Sequence, residues 1–192
     1  MTTTLITGAN KGLGYEAARQ LLAAGHTVYV GARDPERGRA AAERLGARFV
    51  QLDVTDDASV AAAAKTIEAD GGLDVLVNNA GIEGRAPDNS VIGPADETAG
   101  HMAAMFDTNV FGMVRALHAF LPLLRRSAAP VVVNVSSGLS KTADLAEPTT
   151  IFESLPGFSK VELTVRVDQC VGPFAPDTHH LGGLLFQGHA GK

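Results

Sequence analysis

Near the amino terminus, the stretch Thr7-Gly8-Ala9-Asn10-Lys11-Gly12-Leu13-Gly14 has residue types and a spacing suited to holding a phosphate group. It follows the apolar pair Leu5-Ile6 and opens an amphipathic run with Leu13, Ala17, Ala18, Leu21 and Leu22 on one face, which reads as strand, glycine turn and helix. N–H groups at a helix start lack intrahelical partners, and the helix dipole adds partial positive charge there, so a diphosphate binds without any side-chain cation. Gly8 would permit the tight turn, Gly12 would let a ligand approach the backbone, and Gly14 would let the helix lie close to the strand. A glycine triplet by itself also fits a flexible loop, so the surrounding elements must decide.

Those elements are short apolar runs alternating with helical ones. Thr27–Val30, Arg48–Leu52, Leu73–Val77 and Val131–Val135 are rich in Val, Leu and Ile and are bounded by Gly, Asp or Pro, the pattern of strands buried on both faces of a parallel sheet. With helices between them, the fold class is α/β, a doubly wound parallel sheet in three layers. Right-handed crossovers bring the carboxyl ends of all strands to one edge, where ligands bind at the point of reversed strand order. Asp34 is placed to cap a helix with Pro35 in its first turn, and Gly46 stops that helix. Asp56 is placed to cap an alanine-rich helix ending near Gly71-Gly72. A longer helix is expected from about Glu97 to Leu121, with Met102, Met105, Phe106, Asn109 and Val110 on one face. Asn109 is the anomaly on that stripe, because a buried amide needs hydrogen-bond partners and so suggests a specific task. The polar stretch from Glu83 to Ser90 reads as a surface loop.

At 192 residues, the chain has the length of one domain with a sizeable core. A net charge of −5 gives no global basic field, which argues against nucleic acid or an anionic membrane as partner. A single cysteine, Cys170, cannot form an internal disulfide, and no leader or membrane-length apolar run is evident, so the expected compartment is the cytoplasm. His179, His180 and His189 match no common metal spacing and have no cysteine nearby, so no metal site is expected; Cys170 lacks a positioned base in sequence.

The glycine turn, Gly72-Leu73-Asp74-Val75-Leu76-Val77-Asn78-Asn79-Ala80-Gly81, Thr108-Asn109-Val110-Phe111-Gly112 and Asn134-Val135-Ser136-Ser137 occur in one order, each at a strand end or in the expected helix. Together they resemble the short-chain dehydrogenase/reductase family over residues 1–137. The Asn-Lys-Gly form of the turn, with Ala32-Arg33-Asp34 and Leu52-Asp53-Val54, is similar to its carbonyl-reductase branch. The resemblance implies a single Rossmann-like dinucleotide-binding domain over residues 1–192. Gly8, Gly12 and Gly14 would cradle the pyrophosphate and Asp53 would meet the adenine amino group, with Asn10, Lys11, Leu13 and Val54 also among the cofactor-binding residues. Asn79, Ala80 and Gly81 would shape the wall beside the adenosine ribose. Asn109 would help anchor a water and the active-site lysine, and Ser137 would hydrogen-bond the substrate carbonyl oxygen.

Charge then bears on the cofactor. A site for NAD usually sets a carboxylate on the ribose hydroxyls at the end of the second strand, where it would repel the extra phosphate of NADP. Here that strand ends in Arg33, with Lys11 on the same side, which favours NADP(H) and leaves NAD(H) as the second choice. Asp34 is open to two roles, ribose carboxylate or helix cap.

The resemblance breaks after Ser137. The family places a proton-donating tyrosine four residues before a lysine, whereas this sequence has two tyrosines, Tyr15 and Tyr29, both in its first two structural units. The nearest remnant, Pro156-Gly157-Phe158-Ser159-Lys160, keeps the lysine but has proline where tyrosine should stand. Val161–Asp168 alternates with period two and reads as a half-buried strand rather than a helix, while 181–186 is similar to the family's final strand. The expected function is an NADP(H)-dependent oxidoreductase on a small carbonyl or alcohol substrate, impaired by loss of the tyrosine, with Ser137, Asn109 and Lys160 as its remaining catalytic candidates. The alternative is a non-catalytic dinucleotide-binding protein acting as sensor or scaffold. A third reading has the replaced carboxyl-terminal region leaving a sheet edge open to another chain or to aggregation. A homodimer is left open, since many relatives pair through the helices around Asn109 while carbonyl-reductase relatives can be monomers.

Overall fold

The computed structural model describes residues 1–85, 90, 92 and 95–135. Ser137, Lys160, Cys170, the three histidines from 179 onward, and the strands expected at 161–168 and 181–186 lie outside the described residues.

Five parallel strands form one sheet: β1 (Thr3–Thr7), β2 (Thr27–Ala32), β3 (Arg48–Gln51), β4 (Val75–Asn78) and β5 (Val131–Asn134). Their order is β3-β2-β1-β4-β5, so the chain winds outward from β1 in one direction and then restarts at β4 on its other side. The doubly wound α/β expectation is met, and the reversal of order falls between β1 and β4. Each apolar strand run was expected within a residue or two of where it lies.

Alternation along the strands divides the core between two helical layers. Ile6, Val28, Val30, Val75 and Val77 pack against Ala17, Ala18 and Leu21 of α1 (Gly12–Ala23) and Ala41 and Ala42 of α2 (Pro35–Leu45). On the other face, Leu5, Tyr29, Leu76 and Val132 pack against α3 (Asp57–Ala69) and the later helix α5 (Gly112–Leu124). Small alanines on α1 and α2 let those helices lie close to the sheet. Leu13 departs from the expected face of α1: it is 47% exposed, because its position in the first turn lies at the sheet's upper edge rather than over it.

Local capping works as the sequence implies. Asp34 accepts hydrogen bonds from the N–H groups of Glu36 and Arg37, both at 3.0 Å, ahead of Pro35, and Gly46 closes α2 in the left-handed conformation. Asp56 accepts from the Ala58 N–H at 2.9 Å to open α3.

The expected continuous helix from Glu97 to Leu121 is instead three consecutive pieces. Thr98 caps α4 (Ala99–Phe106), a π-helical turn occupies Asp107–Phe111, and α5 follows. The Gly112 N–H bonds the Asp107 carbonyl five residues back, which inserts one extra residue into the helical ladder. Gly112 is required by the fit, because a Cβ there would lie 2.8 Å from Val54 Cγ2. Met105, Asn109 and Val110 are buried as their stripe predicts, but Phe106 is partly exposed, since the π turn rotates the two helical segments relative to each other.

Candidate functional site

A cleft of about 340 Å³ opens at the carboxyl edge of the sheet, where the strand order reverses. Its floor is the glycine turn after β1. Its walls are the ends of β2 at Ala32-Arg33, of β3 at Leu52–Thr55 and of β4 at Asn79–Ile82, with Thr108 from the π turn. The residues expected to bind the cofactor, Gly8, Asn10, Lys11, Gly12, Leu13 and Gly14 of the turn with Arg33, Asp53, Val54, Asn79, Ala80 and Gly81, all line this cleft.

The three glycines have different physical roles. Gly8 has φ +66°, and a Cβ there would meet Ala80 Cα at 2.8 Å, so the turn and β4's exit are in contact through a bare backbone. Gly12 has φ +60° and nothing within 4 Å of where its Cβ would be, so that space belongs to the cleft. Gly14 allows close approach, though its neighbour differs from expectation: a Cβ would lie 2.4 Å from Asn79 Nδ2 and 3.0 Å from Ala9 Cα, so the helix start abuts the β4 loop and the turn rather than the strand proper.

Hydrogen bonds lock the turn to β4 across the switch point. Asn79 Nδ2 donates to the carbonyls of Thr7 at 2.9 Å and Gly8 at 3.2 Å. In return, Thr7 Oγ1 accepts from the N–H groups of Asn79 at 3.0 Å and Ala80 at 2.9 Å. The Ala9 N–H donates to the Gly31 carbonyl of β2 at 3.1 Å, which fixes the other side of the turn. A turn fixed on both sides, ahead of a helix whose first N–H groups have no intrahelical acceptor, suits an anion that needs several donors in a fixed array.

The charge at the β2 end also has a defined geometry. Arg33 and Lys11 are exposed, line the cleft, and have no ion-pair partner among the described residues. Asp34 is committed elsewhere: Oδ1 accepts the two cap hydrogen bonds, and Oδ2 lies 3.4 Å from Arg37 Nε. Of its two readings from sequence, the helix cap is the one observed.

Asn109 sits within the π turn, 5% exposed, and forms a two-bond clamp with the loop after β4. Its Oδ1 accepts from the Ile82 N–H and its Nδ2 donates to the Ile82 carbonyl, both at 2.8 Å. This gives the anomalous amide a structural task that fixes the far rim of the cleft. Arg115 of α5 ties the same region together. Its guanidinium reaches Asp107 Oδ1 at 2.7 Å, Asp57 Oδ1 at 3.1 Å and the Val54 carbonyl at 3.4 Å. The hydrogen bond that Arg115 donates to Asp107 is the chief cause holding its pKa above the ordinary value; burial opposes it next, and the charges of Asp107 and Asp57 add to it.

Neither tyrosine lines the cleft. Tyr15 lies under the Arg44 guanidinium, 5.7 Å from ring centroid to Cζ. Tyr29 is buried in the sheet, donating to Asp70 Oδ2 at 2.5 Å and accepting from Arg48 Nη1 at 2.8 Å. Thr55, Ile82 and Thr108 are cleft residues that sequence reasoning missed. The first two had a signal in their place one step beyond Val54 and Gly81, but Thr108 needed the π turn to bring it round.

Among the described residues, no helix is long and apolar enough to cross a membrane, and no group of three or more His, Cys, Asp and Glu is placed to hold a metal ion.

Residues 2–147 match the family model of the short chain dehydrogenase, a span that runs past Ser137. The chain belongs to the short-chain dehydrogenase family. The chain is 41% identical over 145 residues to carbonyl reductase [NADPH] 1 of Bos taurus, covering 71% of this chain and 49% of that protein. Its fold is similar to menthone neomenthol reductase from Mentha piperita, with TM-score 0.64, 35% identity and coverage of 73% of this chain and 62% of the other. It is also similar to an NADPH-bound short chain oxidoreductase from Pseudomonas aeruginosa PAO1 containing an atypical catalytic center, with TM-score 0.65, 34% identity and coverage of 73% and 56%. The chain spans about half to two thirds of the length of the curated relatives it matches.

Proposed function

We propose that the cleft holds NADP(H) and that the chain is an oxidoreductase of carbonyl-reductase or alcohol-dehydrogenase type, acting on a small carbonyl or alcohol substrate and impaired by the missing tyrosine. One observation carries the cofactor half: two exposed cations, Lys11 and Arg33, border the glycine turn, while the nearby carboxylate of Asp34 is occupied in capping α2. A free carboxylate there would repel a ribose phosphate, and two free cations attract one. The residues present also fit the diphosphate, since the space beside Gly12 is open and the helix-start donors border it. The NADPH in the name of the bovine relative and in the description of the Pseudomonas structure supports the same choice.

The cofactor supplies the hydride when bound. The chain's own part is orientation. Gly8, Gly12 and Gly14 cradle the diphosphate with Asn10 and Leu13 beside them, Asp53 next to Val54 meets the adenine amino group, and Asn79, Ala80 and Gly81 shape the ribose wall. Ser137 polarises the carbonyl oxygen, Asn109 supports the far rim, and Lys160 is left to hold ribose or deliver a proton in place of the tyrosine. Loss of a positioned general acid costs about a hundredfold to ten-thousandfold, so turnover is slow. The test is NADPH oxidation with a reactive dicarbonyl: a rate no higher than that of Ser137→Ala ends the catalytic reading.

A second reading, a dinucleotide-binding protein without catalysis, is favoured by the placement of both tyrosines away from the cleft. It predicts binding without turnover. NADPH at a hundred times its Kd would add about 2.7 kcal/mol of stability, seen as a raised Tm. A Tm unmoved by NADPH and by NADH excludes both readings.

A further inference from the structure

Arg115 stands eight residues after Asp107, a spacing that in an unbroken α-helix sets two side chains about 80° apart around the axis. The π turn at Asp107–Phe111 takes up one residue, so the pair shares a face, as residues seven apart do in an α-helix. Arg115 uses that alignment: Nη2 lies 2.7 Å from Asp107 Oδ1, and Nη1 donates to the carbonyls of Asp107 and Val54, both at 3.4 Å. Restoring the ordinary i→i+4 ladder would carry Asp107 round the axis by about 100°, away from the guanidinium, and turn Asn109 part of that way. The Arg115 contact therefore selects the π register. That register matters at two walls of the cleft. At the β3 end, Val54 is held by its carbonyl to Arg115, and its Cγ2 rests on the bare backbone of Gly112, where a Cβ would meet it at 2.8 Å. At the β4 end, Ile82 is held by its N–H and its carbonyl to Asn109, from the middle of the π turn.

We propose that Arg115 is a positioning residue that joins these two walls: by fastening the π turn to Val54, it makes a ligand that orders the base end of the cleft order Ile82 as well. This rests on the reading of the cleft as a dinucleotide site, with the base beside Asp53 and Val54. Arg115 does not line the cleft, so it acts through Val54 on one side and through Asp107 and Asn109 on the other. The element with two arrangements is the helix, whose π register alone keeps Val54, the guanidinium and Asp107 together. A ligand packed on Val54 favours that register, and the clamp on Ile82 tightens with it. Asp57, 87% exposed and 3.1 Å from Arg115 Nε, lies off this path.

The experiment is residue-resolved amide hydrogen exchange of the 192-residue chain with and without 2′,5′-ADP, which fills the base end and has no nicotinamide half. In the parent, the ligand should slow exchange several-fold at the Thr55 N–H and also at the Ile82 N–H, whose bond to Asn109 reports the clamp directly. Arg115→Met, which keeps the stem and loses the donors, should retain the slowing at Thr55 and lose it at Ile82. Arg115→Lys, with one compact donor group in place of the fork, should keep only part of the slowing at Ile82, and it decides the matter if Arg115→Met does not fold. Asp57→Asn should behave as the parent. If Arg115 were merely structural, its loss would raise exchange with and without ligand alike and leave the ligand-induced slowing at Ile82 in place. That result overturns the inference, as does a parent in which Thr55 slows and Ile82 does not. No slowing at residues 8–14 or at Thr55 in the parent overturns the dinucleotide reading, and this inference with it.

Discussion

Alanine at position 14 and alanine at position 12 separate packing from ligand access within one turn. At Gly14, the new Cβ would lie 2.4 Å from Asn79 Nδ2 and 3.0 Å from both Ala9 Cα and the Gly8 carbonyl oxygen, so either the amide or the turn must move. Moving the amide breaks its hydrogen bonds to the carbonyls of Thr7 and Gly8. Each is worth about 1 kcal/mol, overpacking adds about 1–3 kcal/mol, and alanine's better helix propensity returns about 1 kcal/mol. The net loss is about 2–4 kcal/mol, or a Tm lower by roughly 10 °C in a chain of this size. At Gly12, no atom lies within 4 Å of the added carbon, and the cost is the positive φ of +60°, about 1–2 kcal/mol. That variant should melt only a few degrees low yet lose most of its NADPH affinity, because the methyl group fills the ligand's approach. Thermal unfolding with and without NADPH reads both effects. Gly14→Ala melting within a degree or two of the parent, or Gly12→Ala melting below Gly14→Ala, refutes the contact geometry of the turn.

Other substitutions probe the remaining parts. Arg33→Ala should weaken NADPH binding about tenfold or more while leaving NADH binding nearly unchanged, and titrations at rising salt should show a shallower dependence for the variant. Asn109→Asp keeps an acceptor for the Ile82 N–H but sets a second oxygen against the Ile82 carbonyl, so it should lower the Tm by several degrees, whereas a Tm equal to the parent's would show that the clamp contributes nothing. Arg115→Met frees Asp107, Asp57 and the Val54 carbonyl together, and hydrogen exchange should rise at 107–112 and near Val54, not at β2. Burial lowers the His26 pKa below 6.5, opposed by attraction to Asp74. Between that depressed value and 6.5, the unfolded chain takes up a proton that the folded chain refuses, so stability falls as pH drops through this window. His26→Gln should flatten the decline of Tm between about pH 7.5 and pH 5, and an unchanged slope would assign the decline to other groups.

The parts legible in the sequence are those whose cause is local. Asp34 followed by Pro35, and Gly46 at the other end, define α2 through bonds that span only a few residues, and the apolar runs of β2, β4 and β5 declare strands buried on both faces. The glycine spacing marked the turn, because only glycine reaches the φ of Gly8 and Gly12 without strain. Strand order, by contrast, was decided by packing: adjacency of β1 and β4 brings Asn79 to Thr7 and Gly8, residues some seventy positions away, and without it the turn has no wall. The break in the long helix was equally hidden. Its stripe is continuous in sequence, yet Gly112 must fit against Val54 and Arg115 must reach Asp107, and those contacts favour a π turn that ordinary helical periodicity does not encode. The sequence by itself determined which segments become strand, turn and helix, because those choices depend on neighbours along the chain. Only the tertiary structure decided that Thr55, Ile82 and Thr108 share one cleft, that Leu13 turns outward and that Asp34 is spent on a cap, because each depends on groups that folding brings from elsewhere.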